Sequence, residues 1–367
     1  MRGMNALTPL PQLVCPDCGR AAGPLDWHCN GHPLEVAGLP PFAAAAIAPA
    51  EWSMWRYAAA LPVARRVSLG EGLTPLVPAE LDGLRFQAKL EYLNPTGSYK
   101  DRGTAALLSY LLACGVAAVV EDSSGNAGAS LAAYCAAAGV RARICVPAGA
   151  PAGKKRLIER FGAALVEIPG PRAAATEAAR QIARETPYAS HAWSPLFIAG
   201  QMTCAWEIWE QRGRRAPDAL VVPVGYGGLL LGLARGFGAL LAAGLIERLP
   251  RLYAAQSAAC DPLVRAWERG GPVEAAAQGP TVADGIVVTL PLRAGELLAA
   301  LRASGGAALR VSDVAVLATQ AALARRGLLV EPTGAVGAAA LADARRLAGA
   351  GAEIVVPLTG SGLKTLS

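Results

Sequence analysis

Histidine and aromatic residues are scarce in this 367-residue chain: three histidines, with phenylalanine, tryptophan and tyrosine together at 5%. Three histidines leave few candidates for imidazole-based general catalysis, and no Ser/His/Asp hydrolase elbow is present. No dense block of lysine and arginine occurs, and none interleaves with aromatics. The net charge of +6 is scattered along helical stretches, which argues against a nucleic-acid partner and suits an anionic small molecule. No apolar run is long enough to span a membrane. The longest, Ala219 to Ala234, is broken by Pro223 and four glycines and reads as strand, turn and helix. Met1 to Leu13 lacks the continuous apolar core of a signal peptide. The expectation is a cytoplasmic protein whose eight cysteines are reduced thiols rather than a disulfide frame.

With 53% hydrophobic and 17% charged residues, the chain is long and apolar enough for two domains. Near its start, Cys15-Pro-Asp-Cys18 is followed after ten residues by Cys29-Asn-Gly-His32. Two such knuckles offer four donors (Cys15, Cys18, Cys29 and His32) to a structural zinc ion, with His28 a rival ligand. The other reading is a degenerate knuckle that folds without metal. Pro40 to Arg66 reads as a linker with an irregular amphipathic stretch. From Phe86 onward strands and helices alternate. Strands are expected at Phe86 to Leu93, Val116 to Val120, Arg141 to Val146, Ala164 to Ile168, Ala219 to Val224, Arg251 to Gln256 and Glu353 to Pro357. Helices are expected at Thr104 to Cys114, within Ser123 to Ala138, and at Ala152 to Phe161, Arg172 to Thr186 and Phe197 to Gly213. Others are expected from Leu229, over Ser312 to Arg326 and over Thr333 to Leu347. This alternation predicts α/β architecture: parallel-rich sheets covered on both faces, in two domains with a cleft between them.

Four loops carry the chemistry. Asn94-Pro-Thr-Gly-Ser-Tyr-Lys-Asp-Arg-Gly103 holds one lysine in a tight turn before a helix, with Ser98 or Asp101 as its cap. A lysine held this way, partly desolvated, suits Schiff-base chemistry. Ser123-Ser-Gly-Asn-Ala-Gly128 and Gly225-Tyr-Gly-Gly228 each follow a strand and open a helix. There, N–H groups and the helix dipole favour a carboxylate or a phosphate. Leu358-Thr-Gly-Ser-Gly362 follows the last strand and brings two hydroxyls to the same edge, where α/β sheets bind ligands. Neither glycine turn gives the dinucleotide pattern GxGxxG. A reactive lysine, a phosphate cradle, an asparagine loop and a hydroxyl loop together fit pyridoxal phosphate.

The lysine decapeptide closely resembles that of threonine synthases and related fold-type II pyridoxal phosphate enzymes. Gly70-Glu-Gly-Leu-Thr-Pro-Leu76, Ser123 to Gly128, Glu331-Pro-Thr-Gly334 and Leu358 to Lys364 match in the same order over nearly the whole chain. The N-terminal knuckle resembles the zinc ribbon that precedes some members. The resemblance implies a zinc-ribbon-like segment at 1–39, a large α/β domain of 40–104 and 189–367, and a small mobile α/β domain at 105–188. It also implies a homodimer acting on an amino acid. By position it makes Lys100 the cofactor lysine, which later shuttles protons. Asn126 becomes the partner of the cofactor's ring oxygen, and Gly225, Tyr226, Gly227, Gly228 and Leu229 the phosphate loop. Thr359 becomes the hydroxyl facing the pyridine nitrogen, and Ser123, Ser124 and Gly125 the turn for the substrate carboxylate.

The pattern departs where it bears on substrate. Threonine synthases of the common type carry Thr-Ser after the loop asparagine, where this chain has Ala127-Gly128. They also carry an Asn-Ser and an arginine upstream of a Gly-Gln-Lys-Thr run. Setting that run on Gly200-Gln201-Met202-Thr203 puts His191, Ala192 and Phe197 at those places. The lost arginine removes a bidentate phosphate grip. Either another cation (Lys154, Lys155 or Arg156) replaces it or the substrate is not phosphohomoserine, with His191 a substrate contact or a structural loop histidine. The expected activity is a threonine synthase-like conversion of O-phospho-L-homoserine to L-threonine and phosphate. The alternative is β-elimination or β-replacement on serine, threonine, phosphoserine or a similar amino acid, as in ammonia-lyases and cysteate synthase-like enzymes. A third reading is a non-catalytic binding protein on the same fold.

Overall fold

Strand Ala219–Pro223 is buried along its whole length and shows why the chain forms layers. Leu220 and Val222 join one hydrophobic cluster while Ala219 and Val221 join another on the opposite face, as the two-residue period of a strand requires. A strand with two apolar faces must be covered twice. The computed structural model, which describes residues 10–150 and 152–364, does this with helices. The stretch 1–9, part of the segment read for targeting signals, lies outside the described residues.

Six strands form the larger sheet, in the order Ala307–Val311, Arg251–Ser257, Ala219–Pro223, Ile354–Pro357, Leu84–Lys89, Leu76–Leu81. All neighbours are parallel except the final pair, an antiparallel hairpin. A second, three-stranded parallel sheet is built from Ala164–Ile168, Arg141–Pro147 and Ala118–Glu121. The helices are α1 (Lys100–Ala113), α2 (Asn126–Ala138), α3 (Ala152–Arg160), α4 (Arg172–Ile182), α5 (Pro195–Gln211) and α6 (Gly228–Ala242). They continue with α7 (Pro262–Arg269), α8 (Ala294–Ala303), α9 (Asp313–Ala324), α10 (Pro332–Ala339) and α11 (Leu341–Ala348). No described helix is long and apolar enough to cross a membrane.

Three expectations are corrected. Lys100 is the first residue of α1 rather than a loop residue before it, because Tyr99 already has helical dihedrals (φ −56°, ψ −15°). Neither Ser98 nor Asp101 caps that helix; the Asp101 carboxylate accepts instead from the Thr96 N–H at 2.7 Å. The single helix expected over Thr333 to Leu347 is two, divided at Ala340. In addition α7, α8 and strand Ala307–Val311 stand where no element was expected. The N-terminal segment forms a three-stranded sheet centred on Leu13–Val14 and a hairpin pairing His28–Cys29 with His32–Pro33.

Candidate active site

A buried ion network fixes the base of the lysine loop. Arg102 donates to both oxygens of Glu91 at 2.7 Å and to Glu207 at 2.6 and 2.7 Å. Lys89 donates to Glu207 at 2.8 Å, and all four side chains are fully buried. Two cations face two anions, so the desolvated charges cancel and every member is hydrogen-bonded. Burial pushes the Glu207 carboxyl up, but Arg102 and Lys89 outweigh it and hold the group down at about 2. The loop itself is tied by its own motif. Asn94 Oδ1 accepts from the Gly72 N–H at 2.9 Å, and Asp101 accepts from the Thr96 and Ser130 hydroxyls at 2.5 and 2.6 Å. Burial lifts the Asp101 carboxyl to about 6 against those hydrogen bonds. Glu71 of the preceding motif accepts from Trp55 and Tyr134, each at 2.7 Å, which anchors α2.

Lys100 therefore projects from a rigid helix start. Its ammonium donates to the Tyr99 hydroxyl at 2.8 Å and lies 5.9 Å from the Phe197 ring centroid. It lines a cavity of about 360 Å³. The same cavity is lined by Ser123, Ser124, Gly125, Asn126, His191, Gly225, Tyr226, Gly227, Gly228 and Thr359. Leu229 is buried in the first turn of α6. A larger, more open depression of about 570 Å³ lies beside Trp27 and Arg180. None of the glycine loops reaches it; they converge on the cavity at Lys100.

The glycine loop has the shape of an anion cradle. Gly227 has φ +84°, and a Cβ there would come within 2.3 Å of Leu297. The loop then opens α6, whose N-terminal amides favour negative charge. Asn126 is oriented from both sides: its Nδ2 donates to Glu331 at 2.7 Å and its Oδ1 accepts from Lys364. Thr359 follows the last strand, and its carbonyl accepts from the Tyr99 N–H at 3.1 Å, tying the hydroxyl loop to the lysine loop. An amine, a backbone phosphate cradle, an amide and a hydroxyl around one cavity fit pyridoxal phosphate. Gly128 has a structural reason: a Cβ there would stand 1.8 Å from the Ser123 carbonyl oxygen.

Residues 67–360 match the family described as pyridoxal-phosphate dependent enzyme. The chain belongs to that family. It is 36% identical over 299 residues to the threonine synthase of Methanosarcina acetivorans, covering 79% of this chain and 74% of that protein. It is 34% identical over 331 residues to that of Methanocaldococcus jannaschii, covering 86% and 81%. Among solved structures it resembles the T.th. threonine deaminase, with a TM-score of 0.69 and 31% identity over 78% of this chain and 92% of that one. This pyridoxal-phosphate-dependent enzyme is thus a threonine synthase-like lyase of fold type II.

The substrate end of the cavity departs from expectation. Lys155 donates to the Ala148 carbonyl and to Glu167, at 2.9 and 2.7 Å. Arg156 is exposed, and neither lines the cavity; the Lys154 side chain lies outside the described residues. The arginine that does line it is Arg172, at the start of α4. A signal for it was present: Gly170-Pro-Arg172 follows strand Ala164–Ile168 at the carboxyl edge that the other loops share. Glu331 and Thr333 also line the cavity, as does the segment Asp284 to Val288. His191 is at the wall, its ring 6.0 Å from Phe197 and 5.6 Å from Tyr226. Its Nδ1 pairs with Glu121 at 2.9 Å. Burial, then the charges of Lys100 and Arg172, hold this imidazole well below its ordinary range. Burial beside Asp122 pushes the Glu121 carboxyl well up.

Of the four expected metal ligands, the thiols of Cys15, Cys18 and Cys29 lie within 4.8 Å of one another. His32 stands outside that set, half-exposed and 3.8 Å from Asp17. The rival His28 accepts the Gly31 N–H at Nδ1 and packs 4.0 Å from Trp27.

Proposed function

We propose that this lyase converts O-phospho-L-homoserine and water to L-threonine and phosphate, with phosphate leaving Cγ and the water oxygen adding at Cβ, in a site whose cofactor is carried by Lys100. The observation that carries the reading is the convergence of Lys100, the Asn126 loop, the Gly225 to Gly228 turn and Thr359 on one cavity, in a chain 36% identical to a threonine synthase. Bound pyridoxal phosphate supplies an electron sink for the pair left when a proton leaves Cα. The protein does the rest. Gly225, Tyr226, Gly227, Gly228 and Leu229 hold the phosphate through backbone N–H groups, Asn126 orients the ring oxygen, and Thr359 offers the pyridine nitrogen a hydroxyl. Ser123, Ser124 and Gly125 take the substrate carboxylate, and the freed Lys100 amine moves the proton between substrate carbons. The substrate is anionic, and the small domain at 105–188 shifts to close over it together with the one water that supplies the new hydroxyl. We further propose a cytoplasmic homodimer.

The structural likeness to a threonine deaminase and the apolar Phe197 favour a second reading, elimination at Cβ of serine or threonine. One assay separates the two: phosphate and threonine release from O-phospho-L-homoserine, beside keto-acid formation from serine and threonine. Turnover of the first supports the threonine synthase reading. Turnover of the second alone overturns it.

The three clustered thiols suit a structural zinc ion, which takes tetrahedral N/S ligands. We propose His32 as the fourth ligand. Metal analysis should find about one zinc per chain, lost in Cys15→Ser; equal contents in both would contradict the site.

A further inference from the structure

We infer that Arg172 is a second anion-binding position in this cavity, so that the preferred substrate carries a negative group on its side chain besides its α-carboxylate. That group is an oxyanion, either a phosphate ester or a carboxylate. The inference rests on reading the cavity as the lyase site.

Among the described residues lining the cavity, the only lysine and arginine are Lys100 and Arg172. With Lys100 assigned to the cofactor, Arg172 is the remaining cation among the described lining residues. Its nearest carboxylate, Asp122, does not occupy it. One Asp122 oxygen accepts from the Tyr188 hydroxyl and the other from Thr176, each at 2.6 Å, while Arg172 stands 3.8 Å away. That distance is too long for a hydrogen bond, so Asp122 is an ion-pair partner satisfied without the guanidinium, and the fork, whose hydrogen-bonding neighbour is the Tyr226 hydroxyl, keeps donors for an oxyanion. Asp122 acts at longer range. Burial opposes the charge on Arg172, but Asp122, the Tyr226 hydroxyl and Glu121 outweigh it and hold the group cationic. The surrounding wall suits an oxyanion too. Tyr226 lies against both Arg172 and His191, and the pairing of His191 Nδ1 with Glu121 leaves its other ring nitrogen as a further polar contact. Phe197, at the position where common threonine synthases carry an arginine, presents an apolar ring close to Lys100. The positive charge offered to the substrate side chain therefore lies at the start of α4.

The test compares the holoenzyme with Arg172→Gln and Arg172→Lys. The amino acids used are O-phospho-L-homoserine, O-phospho-L-serine, L-aspartate, L-serine and L-threonine. Binding is read independently of turnover, from the shift of the bound cofactor's visible absorption as each amino acid is added. Wild type should bind and turn over an anionic-side-chain amino acid in preference to serine and threonine. The phosphate and carboxylate arms identify the oxyanion. In Arg172→Gln the ratio of kcat/KM for the anionic over the neutral amino acid should fall on the order of 10²-fold, chiefly through KM. Arg172→Lys should recover part of it, keeping the charge without the fork. A ratio that Arg172→Gln leaves alone, or a wild type that prefers serine or threonine, overturns the inference while the lyase reading stands. A wild-type protein that binds no pyridoxal phosphate overturns both.

Discussion

Arg102 and Arg172 serve the same cavity and are held in opposite ways. Arg102 is wholly buried and makes hydrogen bonds to Glu91 and Glu207, inside a helix whose residues from Asp101 to Leu111 are all buried. Arg172 keeps 40% of its side chain exposed and stands 3.8 Å from Asp122, on a helix that buries only Ala175 and Ala179. The first arrangement fixes Lys100 against the large sheet. The second leaves the substrate wall free to adjust, because local opening costs least where few groups are buried. On the proposed function, the fixed wall holds the cofactor and the adjustable one faces the substrate.

The largest effect should come from the fixed wall's reactive group. Lys100→Ala should lower turnover by ~10²–10⁴-fold or more and abolish the visible band of bound cofactor, while its circular dichroism stays that of the parent. A variant that retains the band would break the assignment. Next comes the network beneath it. Arg102→Met leaves Glu91 and Glu207 buried without their shared partner and should cost ~3–5 kcal/mol in denaturant unfolding. A cost below about 1 kcal/mol would mean that the network relaxes like a surface pair.

Hydrogen exchange sharpens the comparison directly. Amides of α4 should exchange on the order of 10²-fold faster than those of α1 in the unliganded enzyme, and equal protection would erase the distinction. The smallest effect is a pH dependence at Asp101. Folded Asp101 holds its proton up to about 6, against an ordinary value of 3.8. Between those values the folded state binds more protons than the unfolded one, so this group's contribution to stability falls as pH rises. The stability of Asp101→Asn relative to the parent should therefore increase from pH 4 to pH 6. A flat or falling difference would show that the carboxyl is ionised throughout.

The fixed wall was legible in the sequence because its parts are contiguous. Asn94 to Gly103 contains the lysine together with Asn94, Thr96, Asp101 and Arg102, which tie the loop, while Glu91, Lys89 and Glu207 complete the network from outside it, and each glycine loop sits where a strand runs into a helix. The opposite wall was legible only in part: His191 and Phe197 were singled out and line the cavity, but Arg172 was missed, because these residues come from separate elements that only folding brings together. Arg172 opens a helix that reads as an ordinary amphipathic surface element, so Lys154, Lys155 and Arg156, clustered in a basic run, drew attention instead. The missed elements have a similar cause. α7 is eight residues long, and strand Ala307–Val311 follows Gly305-Gly306 in an alanine-rich stretch whose composition suits a helix. The division of α10 from α11 at Ala340 reflects a local backbone turn (φ −87°, ψ 2°) that an alanine-rich pattern does not announce.

The central claim, that Lys100 carries the cofactor in the cavity where the four loops converge, is tested most directly by borohydride reduction of the holoenzyme followed by peptide mapping. The account predicts one pyridoxyl group per chain, on the peptide containing Lys100. Its appearance on Lys364, Lys155 or any other lysine, or on none, would contradict the account.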